Sequence, residues 1–146
     1  MIQVLSALHK DIQGRWTSVY CELDGEIAHL DSVLELHGDE FKVSTNNTVT
    51  HEGRFTVGPG TPAEIVLIYS KSSNPLFLGG PRPGVFQLQG DTLKLNFGAV
   101  GHSGPRTLNT TEGSESVLSV YKRDSRTADA AISARKLSIL KSVALW

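Results

Sequence analysis

Gly14-Arg15-Trp16 heads a strand-like run that extends from Ile12 to Leu23 and stops at the turn pair Asp24-Gly25. Far away, Leu118-Ser119-Val120-Tyr121-Lys122-Arg123 ends the last strand-like run on two cations. Between them the punctuation is regular. Ser32 to His37 alternates at Leu34 and Leu36 and stops at Gly38-Asp39; Glu40 to Thr45 sets Phe41 and Val43 on one face. Asn46-Asn47 predicts a tight turn, because asparagine tolerates the left-handed region. Thr48 to Val57 has the clearest period of two, with Val49, His51, Gly53, Phe55 and Val57 facing one way. Gly58-Pro59-Gly60-Thr61-Pro62 breaks it. Glu64 to Ser70 is then apolar on both faces, and Lys71 to Pro83 reads as a loop. Val85 to Gln89 and Thr92 to Phe97 form a hairpin across Gly90-Asp91; Ala99 to Ser114 is a long polar loop before the last strand, Glu115 to Arg123. About eight short antiparallel strands predict an all-β barrel or sandwich.

Both ends of the chain depart from this period. The residues before Ile12 read as a short helical lead-in. After Arg123 the period changes to that of a helix: Thr127 can cap it, and Ala128, Ile132, Ile139, Val143 and Trp146 share one stripe. Leu137, Leu140 and Ala144 make a second, weaker stripe. A single domain over 1–146 is expected, with a barrel at 11–124 and a C-terminal α-helix at 127–146.

Composition narrows the function classes. No run approaches the roughly 18 apolar residues of a membrane span, and the N-terminus lacks the pattern of a signal peptide. Cys21 is the only cysteine, which excludes an internal disulfide, and a cytoplasmic location is expected. The net charge of -1 hides an acidic body and a basic tail after Tyr121. That tail offers only Trp146 as a stacking group, so nucleic-acid binding is not expected.

Several tracts together resemble a small lipocalin-like (calycin) domain found in many bacteria and abundant in planctomycetes. They are Gln13-Gly14-Arg15-Trp16, Glu40-Phe41-Lys42-Val43, Glu52-Gly53-Arg54-Phe55, Phe86 to Leu95 around Gly90-Asp91, and Val120-Tyr121-Lys122-Arg123. The resemblance implies an antiparallel up-and-down barrel. In lipocalins a cation lies across the tryptophan and closes the barrel floor. The resemblance gives those roles to Trp16 and Arg123, with Lys122 as the alternative if the register slips by one. The family has no established general activity, so a fold is implied and not a reaction.

In an up-and-down barrel successive connections alternate between the two ends. With Trp16 at the floor, Gly38-Asp39, Gly58–Ala63 and Gly90-Asp91 lie there too. The connections Asp24–Asp31, Asn46-Asn47, Lys71–Pro83 and Ala99–Ser114 share the far rim, so the three longer segments are expected to crowd one mouth. The expected inner lining includes Leu34, Leu36, Phe41, Val43, Phe55, Leu67, Phe86, Leu88, Leu95 and Leu118.

No strong catalytic motif is present. His51, among apolar neighbours just below the mouth, is the most suggestive residue: a hydrogen-bonding group for a ligand, a general base, or a core histidine satisfied by a hydroxyl or carbonyl. Tyr20 and Tyr69, at strand ends near the same rim, offer an apolar ring and a polar tip. Gly53 leaves room or marks a bulge. Glu22, Arg82, His102 and Arg106 either meet over the mouth or are solvated. Gly79-Gly80-Pro81 reads as a lid hinge or plain turn, since Pro81 lacks a donor for a phosphate cradle. The histidines lack metal-ligand spacing and none stands out as a haem ligand, so no metal or cofactor is expected. Cys21 reads as a small buried hydrophobe.

Three classes of function remain open. The first is a binding module for a small apolar or amphipathic molecule, with Tyr20, His51, Phe55, Tyr69 and Phe86 as ligand-facing residues. The second is a barrel enzyme of isomerase or cyclase type using His51 or Tyr69 as acid or base. The third is a filled barrel that binds another protein. If the terminal helix docks on outward Val66 and Ile68, its second stripe stays exposed, which predicts a homodimer, with an anionic membrane surface as the competing partner.

Overall fold

A computed structural model describes residues 2–28, 31–101, 104–108 and 116–124. The order is α1 (Ile2–Asp11), β1 (Gly14–Leu23), β2 (Glu26–Ala28), β3 (Ser32–His37), β4 (Glu40–Thr45), β5 (Thr48–Gly58), β6 (Ala63–Ser72), a 3-10 segment (Pro75–Gly79), β7 (Arg82–Gln89), β8 (Thr92–Phe97) and β9 (Val117–Arg123). Eight strands, β1 and β3 to β9, pair with their sequence neighbours, and β1 pairs with β9 to close an antiparallel barrel. Closure removes the unpaired sheet edge that an open sheet would expose. β2 is a three-residue extension beside the upper end of β1, too short to show a period in the sequence. The Asn46-Asn47 turn is as expected, with φ of 52° and 67°, both in the left-handed region that a tight hairpin requires.

The floor is built from both ends of the barrel. Trp16 is fully buried and donates its indole N–H to the Ile12 carbonyl at 2.9 Å. The Arg123 guanidinium lies 4.3 Å from the centroid of its ring. The same guanidinium donates to the carbonyls of Gln13 and Asp11, each at 2.7 Å. Trp16 and Arg123 face each other in the β1–β9 register, so the cation is Arg123 and not Lys122. Gly14 makes room for it: φ is +125°, and a Cβ there would sit 3.2 Å from Arg123 Nη1. The expected helical lead-in is α1, which packs under the barrel through Leu8, the Ile12 that follows it, and His9, stacked on Phe55 at 5.2 Å.

Arg123→Ala therefore removes a cation–π contact and uncovers two carbonyls. We expect a loss of about 1–3 kcal/mol in urea melts. Arg123→Lys should recover less than half of it, because an ammonium cannot match the guanidinium fork.

Three β-bulges set which side chains enter the barrel. Val19 is an extra residue in β1, since Ser18 faces Tyr121 while Tyr20 faces Val120. Thr50 is extra in β5, between His51 opposite Val43 and Val49 opposite Ser44. Ser70 is extra in β6, between Tyr69 opposite Gly53 and Lys71 opposite Glu52. A bulge inverts the in–out alternation beyond it. Two sequence expectations fail for this reason. Tyr20 points outward with 38% exposure, its inward place taken by buried Cys21, and Val49 points outward with 48% exposure.

The long connection after β8 departs from expectation in part. Residues 99–101 meet the β6–β7 connection at the rim, where Gly101 donates its N–H to the Pro81 carbonyl at 2.7 Å, whereas residues 104–108 lie on the outer wall. Asn96, on the outward face of β8, donates its side-chain amide to the Thr107 carbonyl, and Gly104 lies against outward Pro83. Leu118 shares that outward row with Asn96 and is buried on the outside of the barrel, so it is not lining. The stretch 127–146, with its predicted helix, lies outside the described residues, as does the homodimer face built on it. The wall residues expected to receive the helix, Val66 and Ile68, do face outward, Ile68 with 49% exposure. No helix among the described residues is long and apolar enough to cross a membrane.

Candidate functional site

The barrel interior changes character along its axis. Toward the floor the inward positions are Trp16, Leu36, Phe55, Ile65, Phe86 and Leu93, all buried. At the opposite end the inward positions are mixed: Ser32, Thr45, His51, Ser72, Arg82 and Ser119 are polar, and Cys21, Leu23, Phe97 and Val117 stand among them. Between the two tiers lie Leu34, Phe41, Val43, Leu67, Tyr69 and Leu95. Of the ligand-facing residues expected from sequence, His51, Phe55, Tyr69 and Phe86 enter the barrel. His51 and Tyr69 meet in the upper tier; Phe55 and Phe86 lie below, and Tyr20 is outside.

His51 is fully buried, with its Nδ1 2.8 Å from the Ser72 hydroxyl. Ser72 also accepts from the Asn74 backbone N–H at 3.0 Å. The bulge at Ser70 delivers Ser72 to His51. Uninterrupted alternation through Ile65, Leu67 and Tyr69 would have pointed Lys71 inward instead. No local signal in the sequence marks this pair, because a bulge is decided by the neighbouring strand.

Arg82 is the main surprise. The sequence places it in a loop, yet it begins β7 and is buried inside the barrel. Its Nε donates to the Gly98 carbonyl at 2.9 Å and its Nη1 to the Tyr69 hydroxyl at 3.0 Å. The guanidinium also lies over the rings of Phe77 and Phe97, at 4.9 and 5.2 Å. A buried charge needs such partners, because desolvating it otherwise costs several kcal/mol. Glu22 is on the outer face, Arg106 is exposed on the outer-wall segment, and His102 lies outside the described residues. Arg82 therefore does not meet Glu22 or Arg106 over the mouth.

Phe77 is the second residue the sequence reading missed. It comes from the 3-10 segment, which is capped by Asn74 accepting from the Leu76 N–H. Its ring stacks on Tyr69 (5.1 Å, 22°) and meets His51 edge-on (5.0 Å, 64°). The expected hinge or turn at Gly79-Gly80-Pro81 is the exit of this segment.

Burial also sets the acidities here. The Tyr69 phenol is raised by desolvation, with the charge and hydrogen bond of Arg82 pulling the other way. Tyr121, which shares a 3.4 Å contact with Ser32, is pushed up to about 12, mainly by burial. Cys21 is raised by burial too, which makes it a poor nucleophile.

The Tyr121 shift predicts alkaline instability. The unfolded chain loses this proton near pH 10 and the folded chain near 12, so the stabilisation is whole below pH 10. It is lost as pH rises from 10 to 12, by roughly 2–3 kcal/mol in all. Urea melts across that range should show the decline, and Tyr121→Phe should flatten most of it.

A groove of about 310 Å³ lies on the outer wall from β3 to β6, lined by Glu35, Lys42, Glu52, Lys71 and Gly53 among others. Its lining sets three carboxylates, Glu35, Glu40 and Glu52, against Lys42 and Lys71, and Lys71 and Glu52 approach each other at 3.9 Å. Among the described residues, no group of three or more His, Cys, Asp or Glu is placed to hold a metal ion. Comparison of the chain with family models, with curated proteins and with solved structures finds no match.

Proposed function

We propose that this chain is a lipocalin-like binding module that takes a small amphipathic molecule into the upper half of its barrel. The observation that supports it is the gradient along the interior: a partly polar ring, in which hydroxyls, an imidazole and a guanidinium alternate with Cys21, Phe97 and Val117, stands above a closed apolar base. A barrel selected only for packing gains nothing from a polar upper ring, because each buried polar group must find a partner or weaken the fold. Such a ring matches a molecule with an apolar body and a polar end, the body toward Leu34, Phe41 and Leu95 and the end near Arg82 and His51.

A fluorescent fatty-acid analogue tests this. Saturable binding is expected in the roughly micromolar range. Arg82→Met should weaken a carboxylate probe by about tenfold, while an uncharged alcohol analogue changes by less than about threefold. Absence of saturable binding to the folded protein overturns the proposal.

One observation favours a second reading, a filled barrel that binds another protein. The contacts Phe41–Tyr69, Tyr69–Phe77, Phe77–Arg82 and Arg82–Phe97 run from β4 to β8 through the upper interior. Ile27, Leu76 and Leu78 meanwhile lie exposed toward that end. The probe assay separates the two readings. The enzyme reading has less support, because His51 is held by Ser72 and Tyr69 by Arg82.

A further inference from the structure

The inner rings of the barrel differ in how they are held. Trp16, Phe41, Phe55, Tyr69, Phe86, Phe97 and Tyr121 stand on strands of the closed, hydrogen-bonded cylinder. None of them can leave the interior without breaking ladder bonds. Phe77 belongs to a five-residue 3-10 segment that has no fully buried residue. Its neighbours Leu76 and Leu78 are 77% and 49% exposed, so the Phe77 ring is what this segment contributes to the interior.

The slot that the ring fills is made for a π system. Tyr69 offers a nearly parallel face at 5.1 Å. His51 meets the ring edge-on at 5.0 Å, and the Arg82 guanidinium lies over its face at 4.9 Å. Stacking, edge contact and cation–π attraction all depend on the ring quadrupole. A saturated chain in the same space buries comparable area and forfeits all three.

We propose that the anchoring group of the ligand is a planar six-membered aromatic ring, which takes the place of Phe77 between Tyr69, His51 and Arg82. This rests on the binding-module reading above and adds the ligand class to it. Phe77 is then a tethered stand-in for the ligand. It keeps the slot dry when the protein is empty and swings out with Leu76 and Leu78 when the ligand enters. Competition with the tethered ring lowers the apparent affinity of the wild type by the fraction of time that the slot is open.

The test compares 3-phenylpropionate with nonanoate, which match in carbon count and charge and differ in the ring. Binding is followed by NMR on the full chain. In the wild type, 3-phenylpropionate should abolish the cross-relaxation between the Phe77 and Tyr69 rings and shift the amides of Leu76 to Gly79. Phe77→Ala should bind it about tenfold or more tightly than the wild type, and should bind it about tenfold more tightly than it binds nonanoate. Phe77→Leu keeps the volume, guards against a folding defect, and should give the same order of preference. Equal affinities of the two probes for Phe77→Ala, or ring binding that leaves the Phe77–Tyr69 contact intact, overturn the inference and leave the binding-module reading standing. Nonanoate binding without 3-phenylpropionate binding does the same. If neither probe binds wild type or variants, the binding-module reading falls with it.

Discussion

Trp16→Ala is expected to lower stability by roughly 3–5 kcal/mol, measured as a shift of the urea midpoint at unchanged slope. The side chain is fully buried at the base of the barrel, and three groups close on it. Its N–H is donated to Ile12, the Arg123 guanidinium covers its face, and α1 carries Leu8 and His9 beneath the same core. Alanine opens a cavity at the point where first and last strands meet, so closure of the cylinder suffers along with packing. Trp16→Phe keeps a ring under Arg123 but loses the hydrogen bond, and should cost about half as much. An unchanged midpoint for Trp16→Ala would remove Trp16 from the floor.

Gly53→Ala should be nearly as damaging, at roughly 3 kcal/mol or more, although it adds one methyl group. An ideal Cβ at this position falls 2.0 Å from the Ile68 carbonyl oxygen and 2.7 Å from Phe41 Cε1. The ring can turn aside; the carbonyl belongs to the β6 backbone and cannot move without shifting the strand. The double variant Gly53→Ala with Phe41→Leu should therefore recover only part of the loss. The damage should reach the upper tier as well. Gly53 pairs with Tyr69 beside the bulge at Ser70, so displacing β6 there separates Ser72 from His51. Probe binding should weaken in Gly53→Ala at temperatures where the variant is still folded. Wild-type stability in this variant would mean that the strands do not approach as closely as described.

The sequence carried the course of the barrel because that information is local. Turn pairs at Asp24-Gly25, Asn46-Asn47 and Gly90-Asp91 demand particular backbone angles, and they cut the chain into strands whose order follows from short antiparallel connections. The floor was legible through the resemblance of Gly14-Arg15-Trp16 and the closing cation to lipocalins, and parity brings Arg123 to the same end of the barrel as Trp16. His51 was found because it stands on an inward row of apolar residues, and Tyr69 because it ends a strand near the mouth. Gly53 stood out as leaving room or marking a bulge; it faces Tyr69 beside a bulge whose extra residue is Ser70.

What the tertiary structure decided is where the alternation breaks. A period of two belongs to one strand, but a bulge inserts its extra residue in response to the twist and register of the partner strand. Val19, Thr50 and Ser70 do not announce themselves, and they turned Tyr20 and Val49 out and Ser72 in. Arg82 looked like a solvated loop residue. Its burial is tolerable only because Tyr69, Phe77 and the Phe97-Gly98 pair converge on it from three separate segments. Long-range convergence of that kind has no counterpart in local spacing. The chain alone therefore determined the antiparallel course of the strands, its resemblance supplied the tryptophan floor, and only the packing of strand against strand determined which polar groups enter the upper half.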